Sequence, residues 1–513
     1  MTILFPLAVT IAAMTLALYL RYKRRFSRLP HFVANDNVVS ALRNAASEKR
    51  GAWEVYNALS KRHGPMFSFN LMGTPVLVLN SATLGWKILE KRGDSYSSRP
   101  RLVTAHEVLS GSLRGLSSPY NEHWKRWRKV QHDGMNSRQA LLYRDLQSLE
   151  ATILVRDLAL DSSQYQEKTL RNRFAASVVL NISYGRRVSS IKDPAVAYQL
   201  ESGKAFSRAT IPGKYVVDSF PILLLLPRAL QWFRKEFDAL FAKDLQFYRS
   251  MVQDVREKMA AGTHKESMTV RALENRGLTE DERAYFVSAP FGAGLHTTAG
   301  SIEYAILAAL LHPESTRIAQ RELDDIVGRD RLPTFSDMAS LPYVSAWIKE
   351  VQRWRPIAPL AVPHAVTRDD DLEEYRIPRD TIVYANIYTM MQDPDLFPDP
   401  DSFRPERFLS VDDQTLDPRL REFTLPFGFG RRICPGMYVA LQSIFIVVAR
   451  ILWAFEVQPR PGAVLPDSHA YVSDGLSKSP AAFAFVLRPR FEEALTILNA
   501  EAAEADIRVK EWE

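Results

Sequence analysis

Residues 426–436 read PFGFGRRICPG, and directly beyond them residues 437–455 read MYVALQSIFIVVARILWAF, an apolar helical run. The segment holds Cys434, the only cysteine among 513 residues. A lone cysteine is ordinarily a small buried hydrophobe. Here Gly428, Gly430 and Gly436 permit a tight bend whose amides can approach a sulfur. The N-terminus of the following helix favours negative charge at the same place, so the setting favours a thiolate. Arg431 and Arg432 add positive charge, which suits either a stabilised thiolate or the carboxylates of a bound ligand.

Composition narrows the chemistry further. One thiol cannot build an intramolecular disulfide, a zinc knuckle or an iron–sulfur site. The ten histidines include no HExxH or other close ligand pair. A metal, if the chain uses one, arrives inside a cofactor. Hydrophobic residues at 46% and charged residues at 24% describe an ordinary globular chain and exclude a mainly disordered, collagenous or multi-span membrane protein. A net charge of +7 falls well short of a dedicated nucleic-acid binder, so no nucleic-acid partner is expected.

At the other end, residues 3–20 read ILFPLAVTIAAMTLALYL without a charge. As a helix they extend about 27 Å, close to a bilayer core of about 30 Å. Arg21, Lys23, Arg24, Arg25 and Arg28 follow, with no acidic residue before Asp36, which leaves the rest of the chain in the cytosol by the positive-inside rule. A cleaved signal peptide is the rival, but it needs charge before the apolar run and MTILFP has none. The sequence therefore divides into an anchor helix at 1–20, a basic stop-transfer and linker at 21–51, a large domain at 52–491 and a charged, Ala-rich tail at 492–513, expected to fray on the surface.

Within the large domain helical patterns dominate. An amphipathic helix is expected at 52–62, ending at Gly64. FSFNLMGTPVLVLN, 67–80, alternates as a hairpin does, and Ser81 is placed to cap another helix. Longer helical segments are expected at 121–160, 169–184, 229–260, 280–311, 315–327 and 344–354. Between 356 and 408 Pro and Asp become frequent, and short β-rich runs such as DTIVYANIY appear. The expected fold class is mainly α with a minor β part.

These residues carry a resemblance. PFGFGRRICPG fits the FxxGxRxCxG signature of the haem-thiolate cytochrome P-450 family through Phe427, Gly430, Arg432, Cys434 and Gly436. KEVQRW resembles the family's ExxR pair through Glu350 and Arg353, and FRPERF, 403–408, resembles the segment whose arginine, here Arg407, completes a buried Glu–Arg–Arg cluster. YNEHWKRWRK resembles the W-R-x-x-R helix through Trp124 and Arg128, with Lys125 where arginine is usual; AVPHAVTRDD matches the Pro-His segment at His364. FGAGLHTTAG, 291–300, resembles the oxygen-binding helix pattern [AG]Gx[DE]TT through Ala293, Gly294, Thr297 and Thr298. It departs at His296, where the family has an acid; a histidine there either relays protons or is merely packed. The run at 211–227, IPGKYVVDSFPILLLLP, is similar to fungal microsomal members of the O-methylsterigmatocystin oxidoreductase type. Its leucines either dip into a bilayer or form a buried connection.

The resemblance, spanning about 52–487, implies the P-450 fold as a single large domain and haem b with Cys434 as axial ligand. It implies that Trp124, Arg128, His364, Phe427 and Arg432 bind the cofactor, and that Thr297, His296 and Thr298 serve catalysis. Glu350, Arg353 and Arg407 then support the haem pocket. Pocket walls are expected near 106–116, 291–298, 357–362 and 478–482. It also implies an endoplasmic-reticulum enzyme, single-pass with a cytosolic catalytic domain, inserting one oxygen atom of O2 into a lipophilic small molecule in fungal secondary metabolism or xenobiotic oxidation. Electrons would come from NADPH through NADPH-cytochrome P-450 reductase, with cytochrome b5 as a further donor. They would dock on the basic face formed by Lys125, Arg126, Lys129 and Arg431. The chain itself lacks GxGxxG and any flavin-binding segment. Two alternatives stay open: a haem-thiolate isomerase, dehydratase or peroxygenase, and a non-catalytic membrane protein that binds haem or lipophilic ligands.

Overall fold

A computed structural model of the chain describes residues 28–33, 35–71, 73–160, 169–211, 213–409 and 418–512. The expected anchor at 3–20 and the basic residues at 21–25 lie outside the described residues. The chain separates into two compact units: one of residues through Pro100 with Leu360–Asp393 and Phe429–Arg432, the other of Arg101–Pro359, Pro394–Gly428 and the remainder from Ile433.

The smaller unit carries the sheet. The helix Ala52–His63 ends where Gly64 takes φ 86° and donates its N–H to Ser60 O at 2.9 Å. The expected hairpin follows: β1, Met66–Leu71, pairs antiparallel with β2, Thr74–Leu79, in a register that sets Met66 opposite Leu79. Gly73 turns the chain at φ 89°, its N–H bonded to Asn70 Oδ1 at 2.7 Å. Later segments add β3, His364–Ala365, β4, Asp370–Leu372, β5, Tyr375–Ile377, and β6, Ile382–Ala385. The sheet order is β1-β2-β6-β3, with β2 and β6 parallel. Ser81 precedes the short helix Ala82–Gly85 but makes no side-chain cap bond; the helix widens instead into a π-helical turn, Trp86–Glu90. Where a linker was expected, Asn35–Ser47 is a helix, because Val38, Leu42 and Ala45 recur at helical spacing and pack inward.

The larger unit is helical, around a main core and two smaller hydrophobic clusters. The expected segment at 121–160 is three helices, Glu122–Met135, Ser137–Leu141 and Arg144–Leu160. It breaks at Asn136, whose side chain accepts from the amides of Arg138 and Gln139 and restarts the chain as a cap. Likewise 280–311 divides into Glu280–Val287 and Ala289–Leu311, with Pro290 in the first turn of the second. Other helices include Thr169–Tyr184, Pro194–Ala209, Lys235–Ala260, Pro313–Ile326, Pro342–Trp354 and Met437–Ala454. Among the described residues, Met437–Ala454 alone is long and apolar enough to cross a membrane, yet 83% of it is buried inside the protein. It is the core helix, packed against Arg144–Leu160, Ala289–Leu311 and Pro313–Ile326. Two small sheets, β7, Phe455–Pro459, with β10, Phe485–Pro489, and β8, Tyr471–Ser473, with β9, Lys478–Pro480, complete this unit.

The C-terminal residues do not fray. Ala494–Arg508 is a helix that buries Leu498, Ala502 and Ala505 and packs on Arg144–Leu160. The alanines that read as a featureless tail are small enough to let the two helices approach closely.

Candidate functional site

The bend before the core helix is built from the glycines that the sequence supplies. Gly428 takes φ 86° and Gly430 φ 52°. A Cβ at Gly430 would stand 2.7 Å from Leu89 O, so no other residue fits there. Cys434 donates its N–H to Phe427 O at 2.9 Å, which closes the bend just ahead of Met437–Ala454. Its side chain is accessible, yet burial pushes the thiol pKa up, against the opposing pull of the Gly436 amide and Arg128.

Arg128 lies one turn beyond Trp124 on Glu122–Met135 and donates from Nη1 to Ile433 O at 2.6 Å, beside the cysteine. Burial lowers its pKa while Cys434 opposes that shift. Trp124 is buried, its amide capped by Asn121 Oδ1 at 2.9 Å. On the same helix Lys125, Arg126 and Lys129 are exposed. Lys125 pairs with Glu122 at 2.6 Å and Arg126 with Glu282, so part of the expected basic face is neutralised.

In the smaller unit a second group gathers. His364 Nδ1 sits 2.7 Å from Tyr96 O, and Arg432 Nε donates to Ser97 O at 2.7 Å. Arg99 donates to Val362 O at 2.6 Å and Pro363 O at 2.9 Å. Burial pulls the Arg99 pKa down to about 9. His364 is held well below its ordinary value by burial and by the positive charges of Arg99 and Arg432. Ser97 Oγ is buried without a hydrogen-bond partner among the described residues. Donors of this kind are the groups that a carboxylate-bearing ligand would need. Arg99 and Ser97 escaped the sequence reading, because main-chain carbonyls as partners leave no residue pattern to find.

Ala289–Leu311 runs through the larger unit with most residues buried, but it opens over one stretch: Ala293 and His296 are exposed and Thr297 is half-buried. Thr297 Oγ1 returns to Ala293 O at 3.0 Å, and Ser301 Oγ to Thr297 O at 2.9 Å. Thr298, turned about 100° round the helix, is buried. Gly294 is required by packing, since a Cβ would stand 2.6 Å from Val179 Cγ1 of Thr169–Tyr184.

Glu350, Arg353 and Arg407 come together as a buried cluster. Arg353 donates to both carboxylate oxygens of Glu350 at 2.7 and 2.9 Å, and Arg407 Nε reaches Oε1 at 3.3 Å. The remaining guanidinium donors go to carbonyls of Pro398, Asp399, Pro400 and Ser402.

Comparison with known proteins matches residues 38–483 to the family described as "Cytochrome P450". The chain belongs to the cytochrome P-450 family. It is 35% identical over 456 residues to "Cytochrome P450 monooxygenase 58" of Postia placenta, covering 87% of this chain and 86% of that protein. A cytochrome P-450 monooxygenase of Armillaria gallica is 33% identical, over 88% of this chain and 89% of that one. A zebra fish cytochrome P-450 structure with abiraterone shares the fold at a TM-score of 0.67 and 23% identity, covering 86% of this chain and all of that one. The chain is thus a P-450 monooxygenase, of the mostly helical P-450 fold with a minor sheet part. The family carries haem on a cysteine thiolate and draws on NADPH through a reductase as standard. The chemistry of the Cys434 thiol, ahead of a helix N-terminus, suits the iron; the chemistry of Arg99, His364 and Arg432 suits carboxylates.

Proposed function

We propose that Cys434 is the thiolate ligand of the haem and that Arg128, Trp124, His364, Arg432 and Phe427 seat the cofactor. The observation carrying this reading is Cys434 itself, the chain's one thiol, held just ahead of the core helix by the bond from its N–H to Phe427 O. When bound, the haem supplies the activation of O2 by which one oxygen atom enters a C–H bond and the other leaves as water. The chain's residues do the rest. Arg128 and the Gly436 amide favour the charged sulfur; Arg432 and His364, joined by Arg99, hold carboxylates; the buried Glu350–Arg353–Arg407 cluster keeps the segment at 398–404 in place. Thr297, whose hydroxyl bends back to Ala293 O, loosens the helix where a proton can be handed on, and His296 beside it is placed to hold that proton.

The substrate is proposed as a lipophilic small molecule, in fungal secondary metabolism or xenobiotic oxidation. Residues 1–20 are proposed as a single-pass anchor in the endoplasmic reticulum, followed by a basic stop-transfer segment and a cytosolic catalytic domain that the helix Asn35–Ser47 joins. A separate reductase, with cytochrome b5 as a further donor, delivers the electrons to the face that Lys125, Arg126, Lys129 and Arg431 occupy. The decisive experiment is the spectrum of the dithionite-reduced protein under carbon monoxide. A strongly red-displaced Soret band is expected, and Cys434→Ala must abolish it; a haem-loaded native protein without that band overturns the assignment. His296, in place of an acid, favours one second reading, an isomerase or peroxygenase using oxygenated substrates. Labelled O2 separates them, since only a monooxygenase places one labelled atom in its product.

A further inference from the structure

The open stripe of Ala289–Leu311 begins with Gly292, half-exposed and without a side chain. Two donor groups converge on the place its Cβ would take: Gln199 Nε2 lies 3.4 Å from that point and Arg114 Nη1 3.9 Å. Gln199 is oriented by Tyr248, whose hydroxyl donates to Oε1 at 3.1 Å and so turns the amide nitrogen toward the glycine. Arg114 is fixed in three ways. Its Nε donates to Ser110 Oγ at 3.2 Å, its guanidinium stacks over Phe206 at 4.4 Å, and Nη2 approaches Asp244.

That last contact is long, at 3.8 Å. Asp244 spends its hydrogen-bonding capacity elsewhere, accepting from Tyr198 at 2.8 Å and Ser202 at 3.0 Å. The five N–H donors of Arg114 therefore meet two hydroxyls, those of Ser110 and Tyr248, and a carboxylate at ion-pair range only. Burial opposes the charge on Arg114, but Tyr248, Tyr285 and Asp244 outweigh it and hold the guanidinium ionised. A half-buried, charged fork with donors to spare, beside a side-chain-free notch, is a place for an acceptor.

We propose that Arg114 and Gln199 form an oxyanion-binding subsite over Gly292, and that the substrate is an apolar molecule carrying a carboxylate or similar anionic oxygen. This deepens the monooxygenase reading and rests on it. Gly292 and Thr297 are five residues apart, about 7.5 Å along the helix axis. Arg114 and Gln199 are specificity-determining residues in this scheme, selecting which molecules enter and which end leads.

The test uses the full-length, haem-loaded protein in detergent with two rigid probes of matched shape, biphenyl-4-carboxylic acid and 4-methylbiphenyl. Binding is followed by the Soret shift and, independently of haem, by tryptophan fluorescence quenching. The acid is expected to bind at least about tenfold tighter than the hydrocarbon. Arg114→Leu should erase that preference and leave 4-methylbiphenyl within about twofold, while Arg114→Lys keeps part of it. Should Arg114→Leu fold poorly, Gly292→Ala serves. Its methyl makes ordinary contacts and fills the notch, so the acid alone should weaken. Equal affinity of the native protein for both probes overturns the subsite. So does an equal loss for both probes in Arg114→Leu with a lowered unfolding temperature, which marks Arg114 as a structural clamp. A missing carbon monoxide band instead sinks the haem-thiolate reading, and the fluorescence titration still decides whether the acid is preferred.

Discussion

Glu350 has no exposed surface and accepts from Arg353, Arg407 and the Arg404 amide. Glu350→Gln therefore strands two guanidiniums without a counter-charge. A loss of about 3–5 kcal/mol is expected, read as a lowered urea midpoint at unchanged m-value. Gly294→Ala is expected to cost about 1–3 kcal/mol through overpacking against Val179. Val179→Ala in the same chain should restore most of that, and thermal unfolding of the single and double variants checks it. At this scale legibility depended on partners. Glu350 and Arg353 stand three apart on a helix, so their pairing could be read directly from spacing. Cys434 could be read from its glycines and its solitude. Arg99, Arg114 and Gln199 could not, because their partners are carbonyls or side chains contributed by distant parts of the chain.

Between the helices Ala289–Leu311 and Pro313–Ile326 stands His312, stacked on Phe403 at 4.4 Å with its Nε2 buried and unpartnered among the described residues. Burial, aided by Arg355, lowers its pKa from 6.5 to about 4. As pH falls below about 6.5 the unfolded chain takes up a proton that the folded chain refuses, so stability declines down to about pH 4 and is unaffected by this group above 6.5. Allowing for its partial exposure, about 1–2 kcal/mol should be lost across that window. His312→Phe, which keeps the stack, should lose correspondingly less, as denaturant titrations at several pH values will show. Element types were widely legible where periodicity ran long, as in Thr169–Tyr184 and the hairpin. The breaks were not: Asn136 interrupts a continuous apolar pattern through its own side chain, and the π-helical turns at Trp86–Glu90 and Val103–Val108 follow from packing rather than from residue order.

For the molecule as a whole, the C-terminal helix carries a third kind of prediction. Leu498, Ala502, Ala505 and Val509 are buried, the last two in a cluster with Leu146, Leu149 and Ile153. Removing residues 492–513 should cost on the order of 3–6 kcal/mol and yield an aggregation-prone protein. A dispensable tail would instead leave the unfolding temperature within about a degree, a shift of a few tenths of a kcal/mol. The fold class and the family could be read from the sequence, since the motifs are spread along most of its length. The C-terminal helix could not, because alanine-rich, charged sequence looks the same docked or free.

The burial of Met437–Ala454 bears on biosynthesis. The ribosome releases this apolar stretch after about 85% of the chain has emerged, whereas the helices Arg144–Leu160, Ala289–Leu311 and Pro313–Ile326 that pack on it were made long before. Those earlier helices wait, greasy faces uncovered, for a centrepiece that arrives late. Premature stop codons anywhere upstream of 437 should consequently produce sticky, chaperone-bound fragments rather than smaller folded proteins.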